Sequence, residues 1–304
     1  MKQVAVFHQQ ISDFARGAID VSPQGVQSFD LNKNLITCGL LEMKDTYFDG
    51  NQADNRNKVW IRKKAFSCNY RDKALIIQAK HSIDSFSKKK KAKYYTLGSE
   101  FVGEVVDMGA DVQGLQIGDH VIGNGNYPFS GYDKVAPGVP TNHGSKELEK
   151  FHFSKVIRVP KSMPLEVAAS FPIGGQTTYS MIRKLNLKAG EKVLVTAATS
   201  NTSLFAINAL RRLPVEVYAV TTRESFKSRL EQLGVQQVFV VERGLKSLIE
   251  DQAIGSFIKA NGGFNAVIDP FFDIYLGQAM DVIAMEGRYV TCGMYAQPLV
   301  GEAA

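Results

Sequence analysis

Cysteine is scarce. Only Cys38, Cys68 and Cys292 occur in 304 residues. They are too few for a disulfide framework, and none lies close enough to another to form a C-x-x-C metal or redox pair. Reduced thiols and a cytoplasmic setting are the expectation. Long apolar runs are missing as well. None reaches the roughly 18 residues that mark a membrane-spanning helix. The first residues show no basic-then-apolar leader, so no targeting segment is expected. Charge of one sign is in small excess: 36 Lys and Arg against 30 Asp and Glu leave +6. That alone does not imply nucleic acid. With 10 proline and 26 glycine residues, the chain is neither collagen-like nor a linker.

What is present is ordinary for a globular protein: 44% hydrophobic and 22% charged residues. At about 150 residues per domain, the length predicts two domains. The first half reads as β-rich. Val4–His8 is a short apolar run, Gly25–Gln52 is irregular, and Lys58–Ala65 alternates like a half-buried strand. Phe101–Met108 and His120–Gly123 follow, separated by turn residues such as Gly118-Asp119. Short strands with glycine-rich turns predict a small barrel or sandwich.

The second half alternates strand and helix. Helical spacing covers Pro164–Leu187, Leu204–Leu213, Ser225–Leu233, Leu245–Asn261 and Ile274–Met285. Strands are expected at Lys192–Ala197, Val215–Thr221, Gln237–Val241, Phe264–Asp269 and Gly287–Cys292. This rhythm predicts a parallel sheet with crossover helices, an α/β fold. The junction is placed at Val159-Pro160, giving domains 1–159 and 160–304.

Such sheets bind dinucleotide phosphates at the first strand–helix turn. Here that turn is Ala197-Ala198-Thr199-Ser200-Asn201-Thr202-Ser203. It has no glycine to let backbone N–H groups approach a pyrophosphate. Its hydroxyl and amide side chains could donate to phosphate oxygens; plain helix capping is the alternative. The next strand end reads Thr221-Thr222-Arg223, with Lys227 a turn later. No carboxylate stands at the strand end for a ribose 2′-hydroxyl, and Glu224 comes one residue beyond Arg223. Arg223 and Lys227 suit a 2′-phosphate and favour NADPH over NADH. An ordinary solvated helix start is the plainer reading.

Several motifs in one consistent order, from about Val59 to Tyr295, resemble the medium-chain dehydrogenase/reductase family. They are Leu97-Gly98-Ser99-Glu100-Phe101-Val102-Gly103-Glu104-Val105-Val106, Gly118-Asp119-His120-Val121, Ala168-Ala169, Gly175-Gln176-Thr177-Thr178-Tyr179 and Gly190-Glu191-Lys192-Val193-Leu194-Val195. The resemblance implies a GroES-like β-barrel domain followed by a Rossmann domain. Where zinc-dependent members carry ligands, this chain has Asn69, Ser99 and Ile173-Gly174, so no metal is expected. Asn69-Tyr70-Arg71-Asp72 resembles the zinc-free branch of quinone and enoyl reductases. That branch passes hydride from NADPH to a quinone or to an alkene conjugated with a carbonyl. The resemblance makes Tyr70 a donor to the developing enolate and Asn69 an orienting group; a half-buried aromatic supporting its loop is the plainer reading of Tyr70. Thr177 would lie near the nicotinamide or phosphates, and Ala198–Ser203 would face the pyrophosphate. Phe271 and Cys292–Tyr295, including Gly293 and Met294, would border the cofactor cleft.

The expected substrate is a small molecule, thioester or peptide carrying a quinone or activated alkene: an enone, an enoyl thioester or a dehydroamino acid. Alternatives are a non-catalytic nucleotide- or partner-binding member of the fold and a zinc alcohol dehydrogenase. Two departures remain. The basic run Lys88–Lys91 with Lys93 reads as a solvated loop rather than a docking patch, and is thin support for nucleic acid. The chain ends at Ala304, a C-terminus shorter than usual for the family. The strand it would lack often forms the dimer edge, which leaves a homodimer open.

Overall fold

The computed structural model describes residues 1–14, 23–43, 47–125 and 131–294. Tyr295 and the tail after it lie outside them, as do residues 44–46. Two compact units form, Met1–Ile173 and Gly174–Gln297. The division falls beyond the Val159-Pro160 junction expected from the sequence, for a packing reason given below.

The first unit begins with β1 (Lys2–Phe7) and a single helical turn, α1 (Ile11–Phe14). Gly25–Gln52, irregular by pattern, contains a hairpin of β2 (Gln24–Leu31) and β3 (Asn34–Glu42). Its two turn residues, Asn32 and Lys33, have φ of 51° and 61°. That is the conformation of a two-residue hairpin turn with both central residues left-handed. Strand β2 is exposed along nearly its whole length, so no alternation marks it in the sequence.

Strand β4 (Lys58–Ser67) leads into α2 (Tyr70–Ser87), an 18-residue helix in the half read as β-rich. Its apolar stripe is narrow, with Lys80 and His81 breaking the run. Ile76 and Ile83 pack on Val6, Ile36 and Tyr95. The basic run Lys88–Lys91 follows at the carboxyl end of α2, where cations are favoured, and is solvent-exposed. Then come β5 (Tyr94–Thr96), β6 (Glu100–Met108), β7 (His120–Gly123), β8 (Leu148–His152) and β9 (Val156–Arg158). They build two antiparallel sheets, ordered β2-β3-β1-β5 and β8-β4-β6-β7-β9. Phe101 of β6 faces a core with Val59, Ile61 and Phe151, while Val102 faces the other side. There α3 (Leu165–Ser170) lays Ala168 and Ala169 on Val102 and Ile122. This contact keeps residues after Pro160 with the first unit. Pro172 then starts α4 (Pro172–Leu185), splitting the helix expected over Pro164–Leu187.

The second unit contains β10 (Lys192–Val195), α5 (Asn201–Leu210), β11 (Glu216–Thr221), α6 (Lys227–Gln232) and β12 (Gln237–Val240). It continues with α7 (Gln252–Asn261), β13 (Phe264–Asp269), α8 (Phe272–Met280) and β14 (Ile283–Thr291). Helix α7 starts later than the Leu245 expected. Asp251 caps it, accepting from the N–H groups of Ala253 and Ile254 at 3.0 Å. All strand pairs are parallel, in the order β12-β11-β10-β13-β14. Alternate residues serve opposite cores. Val193 and Val195 meet α4, α5 and α6, whereas Leu194, Tyr218 and Val220 meet α7 and α8. A sheet covered on both faces reads as continuous apolar runs, which is why these strands were visible in the sequence.

Candidate functional site

In a parallel sheet all carboxyl ends share one edge, and the order reverses at β10, between β11 and β13. Ligands of such sheets bind at that switch point. The turn after β10 carries Thr196–Ser200 into α5. Ala197 sits at φ 43°, a left-handed conformation that glycine adopts without the Cβ clash. Two of the expected phosphate ligands face inward instead. The Ala198 side chain lies in the core and its N–H bonds Val220 O at 2.9 Å. Ser203 is fully buried and donates to Thr196 O at 2.8 Å. Ser200 caps the helix, its Oγ accepting from Ser203 N at 3.2 Å and donating to Ser203 Oγ at 3.0 Å. Both readings of the turn therefore apply, to different residues. Ser200 and Ser203 build it. Thr199, Asn201 and Thr202 remain towards solvent, and the first N–H groups of α5 have no intrahelical acceptor. Those are the groups that could hold a pyrophosphate.

Thr222 and Arg223 follow β11 on the same edge, with Lys227 opening α6. The Arg223 N–H bonds Thr221 Oγ1 at 3.1 Å. Its guanidinium is exposed and lies 5.7 Å from the Phe226 ring centre. Among the described residues neither Arg223 nor Lys227 forms an ion pair. Gly293 and Met294 follow β14 on that edge; Gly293 O accepts from Phe272 N at 3.1 Å, and Met294 is exposed. Thr177 is half-buried on α4. Burial, then the Asp269 charge, push the Cys292 thiol up to about 11, which disfavours its thiolate.

The other cluster belongs to the first unit. Strands β4 and β6 set Ser67 opposite Glu100. Gly98, at φ 91°, makes the entry to β6; a Cβ there would lie 2.7 Å from the Phe66 ring. Glu100 and Asp72 are both 2% exposed. Glu100 accepts from Ser67 Oγ at 2.5 Å and from Asn69 Nδ2 and Ile173 N at 2.7 Å. Asp72 accepts from the Asn69 N–H and from Ser99 Oγ, each at 2.6 Å. Asn69 Nδ2 lies 3.5 Å from Ser99 Oγ. The structure thus gathers Asn69, Ser99 and Ile173, the three positions where the resemblance implies metal ligands in zinc-dependent members. Here they are joined by hydrogen bonds. Among the described residues no group of three His, Cys, Asp or Glu side chains could hold a metal ion.

Asn69 is the N-cap of α2 and Tyr70 its first residue. The Asn69 amide is engaged with Glu100, so orienting a substrate would require it to leave that carboxylate. Tyr70 is 44% exposed. Its hydroxyl accepts from Lys73 Nζ at 3.4 Å, and the ammonium lies 4.9 Å from the ring centre. Sequence reasoning missed Lys73 and the buried pair Glu100 and Asp72. The pattern Asn-x-x-Asp at 69–72, a form of capping box, was the available signal.

Two antiparallel sheets followed by a parallel, doubly covered sheet define a two-domain α/β protein of GroES-like plus Rossmann type. Residues 55–169 match the family described as alcohol dehydrogenase GroES-like domain. Beyond that domain, the chain is similar to reductases of the medium-chain dehydrogenase/reductase type. It is 32% identical over 202 residues to quinone oxidoreductase-like protein 2 of Bos taurus, covering 66% of this chain and 52% of that one. It is 29% identical over 210 residues to acryloyl-coenzyme A reductase of Sulfurisphaera tokodaii, covering 65% and 60%. This chain therefore spans less than two thirds of either relative. Among solved structures, the CurK enoyl reductase superposes with a TM-score of 0.63 at 21% identity, covering 85% of this chain and 71% of that one. That likeness concerns the fold.

Proposed function

We propose that the chain is an NADPH-dependent reductase that delivers hydride, without zinc, to a quinone or to an alkene conjugated with a carbonyl. The observation that carries the reading is the arrangement of the second unit. Thr199, Asn201 and Thr202 at the start of α5, Thr222 and Arg223 after β11, Lys227 at the start of α6, and Gly293 with Met294 after β14 share one edge of a parallel sheet at its switch point. Donors at the start of α5 suit the pyrophosphate, and an exposed guanidinium suits a 2′-phosphate. The relatives' names, quinone oxidoreductase-like and acryloyl-coenzyme A reductase, support the acceptor class.

When bound, NADPH would supply the hydride. The protein's part is to orient groups and to stabilise charge on the carbonyl oxygen as the alkene accepts hydride. Tyr70, exposed at the head of α2, is the proposed donor to that oxygen. The donor set around Asn69 supports chemistry without a metal. An amide and two hydroxyls are spent on Glu100 and Asp72, and the Cys68 thiol is pushed up to about 11 by burial and the two carboxylates. A thiolate ligand is disfavoured there.

Fluorescence titration with NADPH and NADH, followed by a turnover screen of quinones, enones and enoyl thioesters with metal content measured, tests the reading. Micromolar NADPH binding, weaker NADH binding and turnover without stoichiometric zinc are expected. Binding without turnover would favour the non-catalytic alternative, and zinc-dependent turnover the alcohol dehydrogenase one.

A further inference from the structure

Asp269, at the carboxyl end of β13, has no accessible surface, and the reading above gives it no task. A buried carboxylate needs donors to be tolerated. Asp269 has three: Thr196 Oγ1 at 2.7 Å, the Phe271 N–H at 2.8 Å, and the Tyr289 hydroxyl of β14. Thr196 carries the connection onward. Its backbone O accepts from Ser203 Oγ, and Ser203 is bonded through both N–H and hydroxyl to Ser200. One chain of hydrogen bonds therefore runs from β14 through β13 and β10 into the first turn of α5.

Ala197 is the residue next to Thr196. It occupies left-handed backbone without being glycine. Such a conformation persists only where the surroundings over-determine it. A loop with glycines would reach the same path unaided. Fully satisfied buried networks rigidify the groups they join, and a binding loop held in its bound shape loses less on binding.

We propose that Asp269, acting through Thr196, is a positioning residue that holds the glycine-free turn in the shape that accepts a pyrophosphate. The inference rests on the NADPH reading. Asp269 makes no contact with the ligand; three donors meet its carboxylate, and its contribution is geometric. The side-chain network does here what glycine does in other nucleotide turns.

The test uses the full chain and two ligands. NADPH presents both a pyrophosphate and a 2′-phosphate; adenosine 2′-monophosphate presents the 2′-phosphate with no 5′-phosphate at all. Thr196→Val removes the hydroxyl that joins the turn to Asp269. It is expected to weaken NADPH about tenfold while leaving the 2′-monophosphate within about twofold. Thr196→Ser, which keeps the hydroxyl, is expected to restore NADPH affinity. A general loss of stability would weaken both ligands alike. Equal losses, or no loss, overturn the inference. If the unsubstituted chain binds neither ligand, the cofactor reading falls and this inference falls with it, an outcome visible before any variant is made. Where Thr196→Val does not fold, Tyr289→Phe removes the far end of the network and carries the same comparison. Loss confined to NADPH supports the inference, and any other pattern overturns it.

Discussion

Arg223 stands at the end of β11 with an exposed guanidinium and, among the described residues, no carboxylate partner. An arginine placed there has a charge to offer a ligand. Arg223→Ala is expected to cost NADPH about 1.5–3 kcal/mol of binding, roughly ten- to a hundredfold, the worth of a charge-assisted hydrogen bond. NADH affinity should stay unchanged. Equal weakening of both nucleotides in a titration would remove Arg223 from the 2′-phosphate site. Tyr70 is tested by Tyr70→Phe, which keeps the ring over Lys73 and deletes the proposed donor. A fall in kcat of about 10²- to 10⁴-fold with NADPH affinity unchanged is expected of a general acid. Unchanged kcat would leave Tyr70 as a helix-start aromatic. The sequence showed which residue types stand at the strand ends, because strand and helix periods locate those ends. It did not show which way the polar side chains of a turn point. Ser200 and Asn201 are adjacent and chemically alike, yet one caps the helix and the other faces solvent. That distinction is made by Thr196, Ser203 and the packing of α5.

At the scale of elements, the head of α2 is tied to the approach to β6 within the first unit. Asp72 lies at the third position of the helix and accepts from its N-cap backbone. It also accepts from Ser99 on the approach to β6. Asp72→Ala would orphan both donors, each costing about 1–3 kcal/mol where water is excluded. A loss of about 2–5 kcal/mol is expected, read as a lower midpoint in denaturant unfolding. A change below about 0.5 kcal/mol, typical of a surface site, would show that the donors find water instead. The buried parallel strands were legible because apolar residues run consecutively through their middles, as in Val193–Val195 and Ala266–Ile268. The β2–β3 hairpin was not, because β2 is exposed and its turn uses Asn32-Lys33, not a glycine pair. Helix α2 was hidden for a related reason: only a narrow stripe is buried, and charged residues interrupt it. The helix split at Pro172 was signalled by the proline itself.

For the molecule as a whole, the least expected charge is Lys63 of β4. Its side chain is only 3% exposed and is paired with Glu149. Nζ also donates to His143 O at 2.7 Å and lies over the rings of Phe101 and Phe151. Burial outweighs the attraction of Glu149 and pushes the ammonium from 10.5 down to about 8. Between those two values the unfolded chain holds a proton that the folded chain has released. Unfolding free energy then rises with pH through that window and is flat with respect to this group on either side. The span corresponds to a change on the order of 3 kcal/mol. Other groups act in the opposite sense nearby. Cys68 and Cys292 are each raised from 9.0 to about 11, and Tyr218 is raised from 10.0 to about 12. Each stays protonated longer when folded, so each lowers stability as pH climbs. The total curve therefore mixes signs, and Lys63 must be isolated by difference. Denaturant unfolding of the unsubstituted chain and of Lys63→Met, followed from pH 7 to pH 11, provides that difference. The stability of the unsubstituted chain relative to the variant is expected to climb between about pH 8 and 10.5. A constant offset across the range would mean that the Glu149 pair keeps Lys63 charged in the folded state, with attraction balancing burial.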